Sequence, residues 1–159
     1  GDLAGVCRLW DARTGRAVWH EANAHATGAL ISASFRADGV SLATAGQDNI
    51  ARIFDIRQRR EAYALAAHTH ALSDVSWSTH DGGQTLLTAS YDRRVCVWNG
   101  VTLELVRRSE PLEDKVTRVR MSHDGKFWCS GGFDRHVRVW RRDALAAAEM
   151  EAFALPSHG

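Results

Sequence analysis

Three side chains in the middle of the sequence carry the groups of an acyl-transfer relay: the imidazole of His68, the hydroxyl of Thr88 and the carboxylate of Asp92. A hydroxyl, a base to deprotonate it and a carboxylate to orient that base are the parts of a hydrolase triad. Nucleophilic catalysis also needs the hydroxyl on an exposed, strained elbow with donors nearby for the oxyanion. Thr88 instead sits inside the run Leu86-Leu87-Thr88-Ala89-Ser90, and no glycine-rich loop adjoins it. The set also recurs. His25, Thr44 and Asp48 repeat it upstream, and Ser130 and Asp134 repeat part of it downstream. One site suffices for catalysis, whereas recurrence belongs to architecture. A hydrolase using Thr88, His68 and Asp92 is therefore the remote alternative. His68-Thr69-His70 places two imidazoles together without a third ligand. Cys7, Cys96 and Cys129 are odd in number, unclustered and set in predicted strands, so neither a zinc site nor a disulfide framework is indicated. The cysteines read as small buried residues in a reducing compartment, and the sequence calls for no cofactor.

The elements that hold these residues repeat with a fixed period. Leu86–Asn99 is two β-rich runs around a polar turn, the second ending in Trp98. The same frame ends in Trp10, Phe54 and Trp140, so the closing aromatics are 44, 44 and 42 residues apart. Asp38-Gly39, Asp81-Gly82 and Asp124-Gly125 recur every 43 residues between alternating runs, as hairpin turns do. A period of 40–45 closing on Trp-Asp is the mark of a four-stranded propeller blade of the WD40 type. The predicted fold is all-β: about three and a half four-stranded blades, the C-terminal portion of a seven-bladed ring. Residues 1–24 supply the outer strands of a truncated blade. Residues 25–67, 68–108 and 109–142 are full blades with strands a to d from the axis outward. The Ala-rich tail, 143–159, has helix propensity over Asp143–Met150, with a strand over Glu151–Leu155 as the alternative. An unclosed set of blades exposes apolar faces, which predicts either preceding blades or pairing of two copies.

Composition excludes little beyond this. The net charge of +1 names no partner, and the 45% hydrophobic and 25% charged content is that of a globular domain. No apolar run approaches the ~18 residues of a membrane span, and no signal peptide is visible.

The repeats resemble WD40 repeats. That resemblance implies a buried chain from the turn Asp92 to His68, on to Thr88, and to the Trp98 indole. Each unpaired member of such a chain costs roughly 1–3 kcal/mol. The copies degrade: Phe54 replaces the indole, Leu112 stands where His is expected, and Ala4 stands where the turn Asp is expected. The third repeat alone keeps the full set and should be the most stable. Arg8, Arg52 and Arg138 share one strand position, where their stems pack between blades and their heads find partners or water.

Function then falls to the loops. The b–c turns carry Gln47, then Tyr91, Arg93 and Arg94, then Phe133, Arg135 and His136, a composition suited to partner proteins. On the opposite face Arg57, Arg59 and Arg60 form a basic c–d loop that suits RNA phosphates or an acidic peptide. The series Gly46–Asn49, Phe54–Arg60, Ala67-His68 and Leu86–Asp92 is similar to the WD-repeat family of the spliceosomal U4/U6 particle. The resemblance implies a non-enzymatic scaffold of the U4/U6 and U4/U6.U5 tri-snRNP. It implies a nuclear location, splicing-factor partners and a cyclophilin among them, and RNA contact through basic loops. A cytoplasmic WD40 adaptor or substrate receptor of another pathway is the competing reading.

Overall fold

The computed structural model describes residues 1–141 and the short strand Phe153–Ala154. Among the described residues there are fourteen strands and no helix. A first, two-stranded sheet pairs β1 (Cys7–Asp11) with β2 (Arg16–Glu21). The second sheet runs β3 (Leu30–Phe35), β4 (Ser41–Gly46), β5 (Ala51–Asp55) and β6 (Arg60–Leu65). The third runs β7 (Leu72–Trp77), β8 (Thr85–Ser90), β9 (Val95–Asn99) and β10 (Leu105–Arg108). The fourth runs β11 (Val116–Met121), β12 (Phe127–Gly132), β13 (Val137–Arg141) and β14 (Phe153–Ala154). Every neighbouring pair is antiparallel and every sheet keeps chain order, as the hairpin signals require.

Turn chemistry sets the hairpins. Gly39, Gly82 and Gly125 take φ of +66°, +69° and +69°, where a side chain is strained. Asn49, Arg93 and Arg135 hold the same left-handed conformation in the three b–c turns, at φ 68°, 69° and 63°. The polar residue after each closing aromatic also has a local task. The side-chain oxygen of Asp11, Asp55 or Asn99 accepts backbone N–H groups two or three residues on and closes the c–d turn. In the third sheet that turn carries Leu103 at φ 60°, so β10 begins only at Leu105.

Alternation then sorts side chains to the two faces of each sheet. Leu86 and Trp98 join Ala43, Ile53 and Leu65 of the second sheet in one core. Their neighbours Leu87 and Val97 join Val116, Val119, Trp128 and Trp140 of the fourth in another. Phe54 packs on Trp19 with ring centroids 5.6 Å apart, in a core with Cys7 and Leu42. The sheets thus stack face to face as a partial β-propeller. The third is covered on both sides: every residue of β7 and β8 is buried. The outward faces of the end sheets are open, leaving Trp10 59% and Val137 46% exposed. Cys129 lies on one of them and is only half-buried, unlike Cys7 and Cys96.

Strands a are tied across sheets by a residue that carries no sequence signal. Asp74 on β7 is fully buried. It accepts hydrogen bonds from Ser32 Oγ on β3 at 2.8 Å and from the Val119 N–H on β11 at 3.0 Å, and it pairs with Arg120. One carboxylate therefore links three sheets. At the chain end, Phe153 and Ala154 pair with Val139 and Arg138. This is the strand alternative for that stretch, placed as the outer strand of the fourth sheet. The helix expected over 143–150 lies outside the described residues. Among the described residues no helix is long and apolar enough to cross a membrane.

Candidate functional site

The third sheet assembles the full buried chain. Asp92, in the β8–β9 turn, lies 2.8 Å from His68 Nδ1, and His68 Nε2 lies 2.8 Å from Thr88 Oγ1. The Trp98 indole donates to the same oxygen at 3.0 Å. Asp92 also accepts the backbone N–H groups of Thr69 and Arg94, so it joins the loop entering β7 to the b–c turn. The geometry has the outline of a triad and lacks its chemistry. Thr88 is fully buried. Burial opposes a charge on His68, but the Asp92 carboxylate, with the Cys96 sulfur beside it, outweighs this and pushes the ring's pKa up to about 9. A ring protonated at neutral pH donates from Nε2 to the hydroxyl, so it cannot act as the base that deprotonates it. Burial raises the Asp92 carboxyl, and its bond to His68 more than reverses this, so it stays below the usual carboxylate range.

The other sheets show how the turn aspartate is satisfied when the set is incomplete. In the second, His25 bridges Asp48 (2.8 Å) and Thr44 (2.9 Å), and Phe54 supplies no donor. Arg52 sits where Cys96 sits in the third sheet, and its guanidinium binds Asp48 beside the ring. Burial therefore lowers the His25 pKa, the Arg52 charge lowers it further, and Asp48 does not restore it. In the fourth, Leu112 packs against the core in place of a histidine, Arg138 pairs with Asp134, which also accepts the His136 N–H, and Trp140 donates to Ser130 Oγ at 3.1 Å. In the first, Asp2 stands in for the aspartate missing at Ala4: it accepts the Val6 N–H at 3.0 Å and pairs with Arg8 at 2.8 Å. The arginines expected to pack by their stems are thus the cations of the turn carboxylates. Their four-residue offset from Asp48 and Asp134 was the available signal.

The b–c turns expose a different set. Tyr91 and Phe133 meet with ring centroids 6.4 Å apart, and both are exposed. Arg93 and Arg135 are exposed beside them. Arg94 is half-buried and donates to the Ser109 carbonyl at 2.6 Å. Two cations that the sequence did not single out join them. Lys115 lies over the Tyr91 ring, its Nζ 5.6 Å from the centroid, and Arg108 donates to the Ala67 carbonyl. Tyr91, Arg93, Arg94, Arg108 and Lys115 line one cleft of about 570 Å³ at the seam where the chain enters the fourth sheet. Gln47 is exposed but committed to the Ala29 N–H at 3.2 Å in the second sheet, away from this group. His136 is half-buried rather than presented, with Nδ1 buried and unpartnered among the described residues. Its neighbours Glu113 and Asp134 could complete a metal-ligand trio within 4.8 Å, but Arg138 already places its positive charge on both carboxylates. Arg57 and Arg59 are exposed in the β5–β6 turn at the other end of the strands, and Arg60, exposed at the start of β6, is braced by Gln58 at 2.7 Å.

Comparison with known proteins agrees with this architecture. The model of the WD domain, G-beta repeat, matches residues 18–55, 59–99 and 106–141. Each match starts in or just before the outer strand of one sheet and ends in the third strand of the next, so each repeat straddles a sheet interface. The chain is 28% identical over 130 residues to Protein HIR1 of Candida albicans, covering 72% of this chain and 14% of that protein. It is 26% identical over 133 residues to Protein hir1 of Schizosaccharomyces pombe, again covering 72% of this chain and 14% of that protein. It is 26% identical over 149 residues to the guanine nucleotide-binding protein subunit beta of Oryza sativa subsp. indica, covering 88% of this chain and 39% of that protein. The chain therefore spans well under half the length of these relatives. Three repeat matches over most of the sequence, on stacked four-stranded sheets locked by turn carboxylates, place this chain in the WD40 repeat family.

Proposed function

We propose that this chain serves as a non-enzymatic scaffold that docks partner proteins on its b–c turn face. The observation that carries the reading is the exposed Tyr91–Phe133 pair flanked by Arg93 and Arg135, aromatic and guanidinium groups set on adjacent rigid turns. The aromatic rings bury large area at little entropic cost, since each has only two rotatable bonds. The double substitution Tyr91→Ser with Phe133→Ser removes exposed rings and leaves the cores intact. Partners that co-purify quantitatively with the unaltered chain should be lost with the double variant. Unchanged recovery would refute the assignment of this face.

The narrower reading makes the scaffold a nuclear subunit of the U4/U6 and U4/U6.U5 tri-snRNP, acting in splicing with splicing-factor partners and a cyclophilin. It rests on the residue series quoted above and on the exposed Arg57–Arg60 turn, which has the reach and charge to meet RNA phosphates. The HIR1 and G-beta relatives support the scaffold without pointing to splicing. Charge reversal at Arg57, Arg59 and Arg60 should abolish co-purification with U4 and U6 RNA. If neither RNA is recovered with the unaltered chain, the scaffold belongs to another pathway.

A further inference from the structure

We infer that the cleft between the third and fourth sheets is a binding site for an acidic peptide segment, its carboxylates held by Arg94, Arg108 and Lys115 and its backbone laid along Tyr91. The inference rests on the docking reading above and specifies the partner's chemistry. Four cations reach this cleft: Arg93, Arg94, Arg108 and Lys115. None of them forms an ion pair among the described residues, unlike Arg8, Arg52, Arg120 and Arg138. Two carboxylates also line it. Asp92 is spent on His68 and on the Thr69 and Arg94 N–H groups, and Asp114 at the rim accepts the Lys115 N–H at 2.7 Å. The balance is therefore positive, with no internal counter-ion for the guanidiniums.

The cations are also pre-positioned. Arg94 is pinned by one nitrogen to the Ser109 carbonyl, and Ser109 is itself buried, its hydroxyl accepting the Val95 N–H at 3.0 Å. Arg108 is pinned to the Ala67 carbonyl. Lys115 is held over the Tyr91 ring. A guanidinium anchored to a carbonyl has already lost rotamer freedom and keeps further N–H donors for a carboxylate. Such charge-assisted bonds are stronger than neutral ones. The cleft volume of about 570 Å³ suits a few residues of extended chain, and Tyr91 with the adjoining Phe133 offers an apolar shelf beside the charges. That shelf favours a peptide, which brings side chains of both kinds, over a bare polyanion.

The experiment titrates the full chain with a fluorescein-labelled peptide of alternating Glu, Asp and Leu, following anisotropy, with a Lys-for-acid version and an oligouridylate as competing probes. The acidic peptide should bind, weaken as salt is raised from about 50 to about 300 mM, and lose on the order of tenfold or more with Arg94→Gln plus Arg108→Gln. Arg13→Gln, at an exposed position in the β1–β2 turn, should leave binding unchanged. Circular dichroism confirms that the cleft variant is folded, and Lys115→Gln, at an exposed position, gives an independent second variant. Affinity unaltered by both cleft variants, or tighter binding of oligouridylate at the same residues, overturns the inference. If partner proteins are still lost with the Tyr91→Ser and Phe133→Ser variant, the docking face stands and only the acidic-peptide assignment falls. If that variant is also silent, both fall.

Discussion

Replacing Asp92 by Ala tests the claim that the relay-like chain is a lock. Its side chain is 4% exposed, and that of its partner His68 is 1% exposed. The substitution removes a charge-assisted bond worth about 1.5–3 kcal/mol and leaves a buried ring N–H without an acceptor, a further 1–3 kcal/mol. Linkage gives a figure of similar size for the net effect of the site on His68, burial and Cys96 included. A histidine that titrates near 6.5 unfolded and at about 9 folded gains about 3 kcal/mol of stability. Because the folded pKa lies above the unfolded one, this stability is complete below pH 6.5 and is lost as pH rises to about 9. Asp48→Ala costs less, about 2 kcal/mol, because Arg52 keeps Glu61 at 3.0 Å. Asp134→Ala costs least, about 1 kcal/mol, because no histidine is orphaned and Arg138 lies near Glu113 at 3.8 Å. Urea titrations followed by tryptophan fluorescence at pH 6 should rank the midpoint losses Asp92, Asp48, Asp134. Repeating them at pH 9.5 should shrink the Asp92→Ala deficit by more than half. Equal midpoint shifts at pH 6, or a deficit independent of pH, would refute the reasoning.

Arg52→Met should raise the His25 pKa, because the neighbouring guanidinium is one of the charges that depress it; an NMR titration of the ring proton reads the change. With the depressed value, the His25 contribution is present above the unfolded pKa and is lost as pH falls through the folded one. Asp74→Asn should cost about 2–4 kcal/mol and lower hydrogen-exchange protection in β3, β7 and β11 together, since one carboxylate serves all three strands. Leu87→Ala should cost about 3 kcal/mol in denaturant titrations, because the side chain is wholly buried against the fourth sheet. Arg93→Gly should stabilise the chain by up to about 1 kcal/mol by relieving φ 69°, while weakening partner binding in the anisotropy assay.

Much of the architecture was legible because its causes are local. A left-handed glycine after Asp makes a hairpin wherever it occurs, and period-two alternation assigns Leu86 and Leu87 to opposite faces before any partner is known. The pairing of His68 with Asp92 followed from a resemblance, and in the structure His68 Nδ1 lies 2.8 Å from the Asp92 carboxylate. The sequence admits both helix and strand in the stretch that holds Phe153–Ala154, because local propensity does not choose between them until an edge such as β13 accepts the chain.

The sequence by itself determined the repeat, the turns and the strand faces, since each depends on a few neighbouring dihedrals. The tertiary structure alone decided how the charges pair. Asp74 meets Arg120 from 46 positions away, Arg108 meets the Ala67 carbonyl from 41, and Arg94, Arg108 and Lys115 gather on one cleft. Long flexible side chains choose among every opposite charge within reach, and only the stacking of the sheets settles which of those charges is near.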